Sequence, residues 1–216
     1  MVIDERLLTG YRTFREETFE RDRALYEELA SEGQSPHTLV IACSDSRVLP
    51  QHILTSGPGD LFVVRNVAAM VPPYEQDEGH HGTSAAIEFA VTVLEVANVV
   101  VMGHAGCGGV ASVIDRNMPA DSFVGQWMRP LHRWMDTHGD SLATKDPEKR
   151  KKLLERAAIH LSVQNLMTFP FVKERVSAGS LAVEGLLFDI HTGDLAEVVA
   201  KHDTVFDLIS VLEGRD

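Results

Sequence analysis

An α/β fold is predicted for this 216-residue chain, with a mainly parallel central sheet, flanking helices, an N-terminal helical arm and an antiparallel edge strand. Three observations predict it. Short apolar, β-branched runs at His37–Ala42, Leu61–Arg65 and Asn98–Met102 read as buried strands. Stretches with helical periodicity lie between or after them, at Thr83–Val96 and from Cys107 to Arg116, so strand, crossover and strand is the repeating unit. In such sheets ligands gather outside the carboxyl ends of the strands. That is where both cysteines of the chain stand.

In chain order, Asp4–Ser31 is rich in Glu and Arg and carries Leu7, Leu8, Tyr11, Phe14, Phe19, Leu25, Tyr26 and Leu29 at helical spacing. A break is expected near Thr9-Gly10. Such a helix packs on its own core or reaches across to another subunit. Gly33-Gln34-Ser35-Pro36 stops it and turns into the first strand. The turn Ser56-Gly57-Pro58-Gly59 introduces the second strand, and Val71 to Gly82 is loop. Thr83 or Ser84 caps a helix with Ala86, Ile87, Phe89, Ala90, Val93 and Leu94 on its apolar face. Asp121–His138 reads as one helix, and Asp146-Pro147-Glu148 opens a long one ending near Met167. The basic run Lys149–Lys152 is a solvated face of that helix. Leu181–Ile190 and Leu195–Ala200 form a hairpin at the sheet edge, and a short helix at Thr204–Leu212 closes the chain. With no repeat or linker, residues 1–216 read as one domain, residues 1–32 being the arm and 33–216 the α/β core.

Composition excludes several classes. The formal net charge of -12 would repel phosphate backbones and anionic lipid, so neither nucleic acid nor membrane is an expected partner. No run approaches the length of a membrane span, because Val93–Met102 is broken by Glu95 and Asn98. The first residues lack the basic and apolar regions of a secretory signal, which makes the cytoplasm the expected location. Two cysteines are too few for a disulfide framework. Buried free thiols and a single bridge are the plain alternatives, but their setting points to metal.

Cys43-Ser44-Asp45-Ser46-Arg47 closes the first strand, and His104-Ala105-Gly106-Cys107-Gly108-Gly109 follows the third. Two thiols and an imidazole are a known donor set for zinc, with a fourth position left for water or substrate. Structural zinc sites draw on two short ligand pairs, whereas here a His-x2-Cys pair is joined by one distant cysteine. The pattern therefore favours catalysis. Asp45 is near enough in sequence to reach the metal or a water on it. Arg47, two residues on, shares its side of an extended segment and would keep it ionised. Two thiolates donate more charge than imidazoles, so activity is expected to rise on the alkaline side of neutrality.

These two motifs resemble the signature of the β-class carbonic anhydrases. Gly33 to Pro36, Pro58 to Ala68 and Val71-Pro72-Pro73-Tyr74 are similar as well, so the close resemblance runs from about Gln34 to Ser112. The resemblance implies zinc on Cys43, His104 and Cys107, the Asp45–Arg47 dyad beside it, and reversible hydration of CO2 to bicarbonate and a proton by a zinc-bound hydroxide. It implies Gln34 and the Gly108 amide as donors to substrate, and Phe62, Val67 and Phe89 as the apolar pocket. Phe89 stands where a tyrosine is common. Core packing is the plain reading of Val67 and Phe89. The bicarbonate effector triad of some members is broken, since Val40 and Phe188 replace its Trp and Tyr while Arg65 is kept; no such regulation is expected. Asp45 is not expected to ligate zinc near neutral pH. The resemblance also implies dimerisation through the arm, giving a homodimer or homotetramer. His80 and His81 read as exposed loop histidines, with a proton relay as the sharper alternative. Two other functions compete: hydrolysis of carbon disulfide or carbonyl sulfide on the same zinc scaffold, and a non-catalytic zinc-stabilised domain. The second would need none of Gln34, Asp45 or Arg47.

Overall fold

The sheet has five strands in the order β2-β1-β3-β4-β5: β1 (Thr38–Cys43), β2 (Leu61–Asn66), β3 (Asn98–His104), β4 (Ala182–Phe188) and β5 (Leu195–Glu197). This computed structural model describes residues 4–139 and 146–198. β1 pairs in parallel with β2 and β3, β3 with β4, and only β5 runs antiparallel. The register sets Cys43 opposite Asn66, Ala42 opposite Met102 and His104 opposite Phe188, so the three inner strands end along one edge. β1 and β3 each run further than their apolar content suggests. Cys43 and His104 are therefore the last residues of their strands and not loop residues beyond them.

Alternation of side chains divides the core between the two faces of the sheet. Leu39, Ile41, Val99 and Val101 face helices through Ile87, Ile159, Val163 and Phe169. Val40, Ala42 and Met102 turn the other way, against Val48, Val100, Leu186 and Phe188. Gly103 on β3 and Gly185 on β4 allow close approach. A Cβ on either would lie 2.6–2.7 Å from side-chain atoms of Ile159, which belongs to the long helix on that face.

The helices in chain order are α1 (Glu5–Thr13), α2 (Phe19–Arg21), α3 (Arg23–Glu32), α4 (Pro50–Ile53), α5 (Gly82–Glu88), α6 (Gly108–Asp115), α7 (Phe123–Trp127), α8 (Arg129–Thr137), α9 (Pro147–Leu166) and α10 (Pro170–Ser177). Wide i→i+5 turns at Phe14–Thr18 and Phe89–Val93 continue α1 and α5. Several details depart from the sequence reading. Gly10 lies inside α1, and the arm breaks instead at Asp22, whose backbone leaves the helical region (φ -101, ψ 12). Asp121–His138 is two helices parted at Met128. Pro130 has no N–H to donate and its ring would crowd the Gln126 carbonyl, so a new helix starts there. α10 was not expected; Pro170 opens it as its first residue. Asp146 caps α9 as expected, accepting from the amides of Glu148 and Lys149. The closing helix at Thr204–Leu212 and the expected strand end beyond Val198 lie outside the described residues. Among the described residues, no helix is long and apolar enough to cross a membrane.

Candidate metal centre

Cys43 at the end of β1, His104 at the end of β3 and Cys107 at the N-cap of α6 converge, with their ligand atoms all within 4.8 Å of one another. All three are buried, at 6%, 2% and 3% exposure. The two Sγ atoms are 3.9 Å apart. That is far too long for a disulfide, but two thiolates on a tetrahedral zinc with 2.3 Å bonds lie about 3.8 Å apart. The imidazole is aimed by its own turn: Nδ1 lies 3.0 Å from the Ala105 carbonyl, which fixes the proton there and leaves Nε2 as the free lone pair. Nε2 is buried with no hydrogen-bond partner. A buried, unpartnered imidazole nitrogen beside two thiols is costly unless something binds it. The donor set fits zinc in type, spacing and number.

Electrostatics make the two thiols unequal. Cys43 is pulled down to about 4, chiefly because the Cys107 thiol donates to its thiolate, with help from His104 and the amides of Asp45 and Ala68 against the opposing effect of burial. Cys107 is pushed up because ionising it would lose that donor, and burial adds to the rise. The amides of Gly109 and Val110, at the start of α6, favour its thiolate, although no full cap hydrogen bond forms. Burial disfavours the charged form of His104, and Cys43 more than offsets this, so its imidazole is raised overall. One proton leaves the thiol pair readily and the second stays, until a divalent cation displaces it.

Asp45 faces the centre, its Oδ2 3.8 Å from His104 Nε2. Arg47 grips it from the other side. Nε reaches Oδ1 at 2.9 Å, a terminal nitrogen reaches Oδ2 at 2.7 Å, and the Arg47 amide adds a third donor at 3.0 Å. This bidentate hold keeps the Asp45 carboxylate well below its usual range. The same guanidinium donates to the Gly106 carbonyl at 3.1 Å, tying the Asp45 loop to the turn that carries His104 and Cys107.

Two holding groups carry no clear mark in the sequence. Arg65 on β2 donates to the carbonyls of Cys43 (3.0 Å), Asp45 (2.7 Å) and Val48 (2.7 Å), which pins the loop after β1. Glu155 on α9, 3% exposed, accepts from the Gly106 amide at 2.7 Å. Its signal was a lone carboxylate sharing an apolar helix face with Ala158 and Ile159. Ala68 and Ala69 are a second hidden feature. Both hold left-handed backbone (φ 62 and 54), a strained conformation for alanine that turns the Ala68 amide towards Cys43.

The remaining expected site residues fall into two groups. Gly108 opens α6 with its amide free of helical partners, and nothing lies within 4 Å of where its Cβ would be. Val67 is beside it: a Cβ on Gly109 would meet Val67 Cγ1 at 2.7 Å, and the Val67 carbonyl accepts from Trp127 Nε1 at 2.9 Å. Gln34, Phe62 and Phe89 lie elsewhere within the chain. Phe62 pairs with Leu39, four residues before Cys43, or about 13 Å along the strand. Its ring sits 5.9 Å from that of Phe89, which is 42% exposed, and exposed Gln34 precedes the start of β1.

Comparison with known proteins agrees with this geometry. The family model described as carbonic anhydrase matches residues 38–195. The chain is 37% identical over 213 residues to Beta carbonic anhydrase 3 of Arabidopsis thaliana, covering 94% of this chain and 81% of that protein. Among solved structures it resembles the β-carbonic anhydrase CafA of Aspergillus fumigatus, with a TM-score of 0.83, 28% identity, and coverage of 97% and 96%. It also resembles one of two tetrameric β-carbonic anhydrases from Sordaria macrospora, with a TM-score of 0.80, 31% identity, and coverage of 89% and 95%. A parallel sheet that ends in two thiols and an imidazole, in a chain this similar over nearly its whole length, belongs to the β-carbonic anhydrase family.

Proposed function

We propose that this protein catalyses the reversible hydration of carbon dioxide to bicarbonate and a proton, with zinc held by Cys43, His104 and Cys107. The observation that carries the reading is the buried three-donor group with an unpartnered His104 Nε2, faced by an Asp45 that Arg47 has locked. Zinc, when bound, supplies a Lewis acid that makes water nucleophilic near neutral pH. The protein's residues do the rest. Asp45, ionised and immobile, accepts the O–H of the nucleophile and so aims its lone pair at the carbon. Because Arg47 supplies three donors to that carboxylate, Asp45 would stay on Arg47 and would not serve as a ligand to a bound zinc. The Gly108 amide donates to a substrate oxygen, the side-chain amide of Gln34 from a second copy adds another donor, and Val67 excludes water beside Gly108. Substrate is small and neutral in one direction and a monoanion in the other, so a few amide donors and an apolar wall suffice to hold it.

Phe62 and Phe89 line that wall only if a second copy brings them to the carboxyl edge of the sheet, since within one chain they lie at the other end. We therefore take the working unit to be a homodimer or homotetramer of one-domain chains joined through the arm, a reading supported by the tetrameric Sordaria relatives. Exposed Leu7 and Tyr11 on α1 support it too. The cytoplasm is the compartment assigned, because both ligand thiols must stay reduced. Arg65 supports the absence of bicarbonate regulation: three carbonyls occupy its guanidinium, and Val40 and Phe188 are packed in the core.

Zinc analysis with stopped-flow CO2 hydration, on wild type and Cys43→Ala, tests the reading. Wild type should carry one zinc per chain and hydrate CO2, and the variant should lose both. Wild-type protein with full zinc and no hydration would overturn it. A parallel sulfide-release assay should find no preference for carbon disulfide or carbonyl sulfide.

A further inference from the structure

The Gly106 peptide is gripped from both sides. Its carbonyl accepts from Arg47 at 3.1 Å, and its amide donates to Glu155 at 2.7 Å. Gly106 is left-handed (φ 70), so the turn from His104 to Cys107 is a tight one, and the Ala105 amide donates to the Phe188 carbonyl at 2.9 Å. Three further features depend on how that turn lies. His104 takes its ring orientation from the Ala105 carbonyl, Cys107 follows directly as the cap of α6, and Arg47 aligns Asp45 from the Gly106 oxygen.

Glu155 is an unusual residue to find at the other end of this chain of bonds. It is buried to 3% exposure on the inner face of α9, among Leu154, Ala158 and Ile159. No cation forms an ion pair with it among the described residues. Lys151 and His104 act on it only through charge at a distance, and its hydrogen-bond partners are the backbone amides of Gly106 and Cys107. A buried carboxyl group with only amide partners is costly, and an apolar residue would fill an inner helix face more cheaply. Its length and direction suit one task, reaching from α9 into the turn between β3 and α6.

We propose that Glu155 is a positioning residue for the metal centre, fixing the His104–Cys107 turn through the Gly106 amide and, through Arg47, the orientation of Asp45. The proposal rests on the metal reading above, and it concerns how firmly the metal is held. Residues that orient metal ligands change metal affinity about 10–100-fold when removed. A purely architectural role would instead lower the stability of the protein with and without metal alike.

The test is zinc release from the purified holoprotein into excess chelator, together with thermal unfolding of the zinc-loaded and zinc-free forms and the visible spectrum of the cobalt-substituted protein. Glu155→Ala should release zinc about tenfold or more faster, narrow the gap between loaded and zinc-free melting temperatures, and alter the cobalt spectrum. Glu155→Gln keeps an acceptor oxygen and should stay within about threefold of wild type in release rate. If Glu155→Ala does not fold, Glu155→Asp, with the carboxylate drawn back by one carbon, carries the test with the same expectation as Ala. Release within twofold of wild type from the Ala or Asp variant, with an unchanged cobalt spectrum, would overturn the proposal. Wild type that binds no stoichiometric zinc would overturn the metal reading itself, a separate outcome.

Discussion

Asp45 is held by three donors from a single residue, two on the guanidinium and one on the backbone of Arg47. That arrangement lowers the pKa of Asp45 and so makes it a stronger acid. A carboxylate whose folded pKa is lowered contributes stability above its unfolded value, near 3.9, and loses it as pH falls through the folded value. Arg47→Ala should therefore move the Asp45 titration upward, towards the ordinary carboxylate range, and reduce kcat/KM about 10–100-fold. Carboxylate titration followed by NMR checks the first, and CO2 hydration rates of the variant check the second. The thiols give a second prediction. In zinc-free protein, absorbance at 240 nm should show one thiolate per chain at neutral pH and the second thiol still protonated. Stability arising from Cys43 should be full above about 8.5 and fade as pH falls towards about 4. At this scale the sequence was informative where chemistry demands rare residues. Cys43, His104, Cys107, Asp45 and Arg47 are distinctive together, and the fold gathers all five. Glu155 and the left-handed Ala68 were hidden because carboxylates and alanines are common, and only their burial and backbone angles mark them.

The same contrast holds for elements. Strands β1 and β3 were legible because both their faces are buried, which leaves continuous apolar runs. Their ends were not, since Cys43 and His104 continue the hydrogen-bonded ladder while carrying functional side chains. The split of α7 from α8 follows from one proline whose effect is local, whereas the periodicity of Trp127, Leu131 and Trp134 runs across it. Packing of α9 on the sheet yields a sharper test. Gly103 stands one residue before His104, and a Cβ there would come within 2.6 Å of Ile159. Gly103→Ala should cost about 1–3 kcal/mol from overpacking, measured by urea unfolding. Gly103→Ala combined with Ile159→Val should recover part of that loss.

Taken whole, the chain divides its expected site between two ends of one sheet. Cys43, His104, Cys107, Gly108 and Val67 gather at the carboxyl edge, and Gln34, Phe62 and Phe89 stay at the other. A residue pattern alone does not separate groups that meet within a chain from groups that meet between copies. The arm gives a handle on this. Phe14, Phe19 and Tyr26 cluster, Phe14 meeting the other two rings edge to face, with Arg15 and Arg23 over the Phe19 ring, while Leu7 and Tyr11 stay 68% and 61% exposed. Leu7→Glu with Tyr11→Glu should shift sedimentation towards monomer and lower CO2 hydration with it, because Phe62 and Phe89 would no longer reach a neighbour's centre. The measurement that bears most directly on the whole account is a zinc-edge anomalous crystal structure at mildly alkaline pH. One zinc should lie about 2.3 Å from Sγ of both Cys43 and Cys107 and about 2.0 Å from His104 Nε2, with the Asp45 carboxylate still on Arg47. Zinc bound by the Asp45 carboxylate, or zinc away from the two thiols, would contradict it.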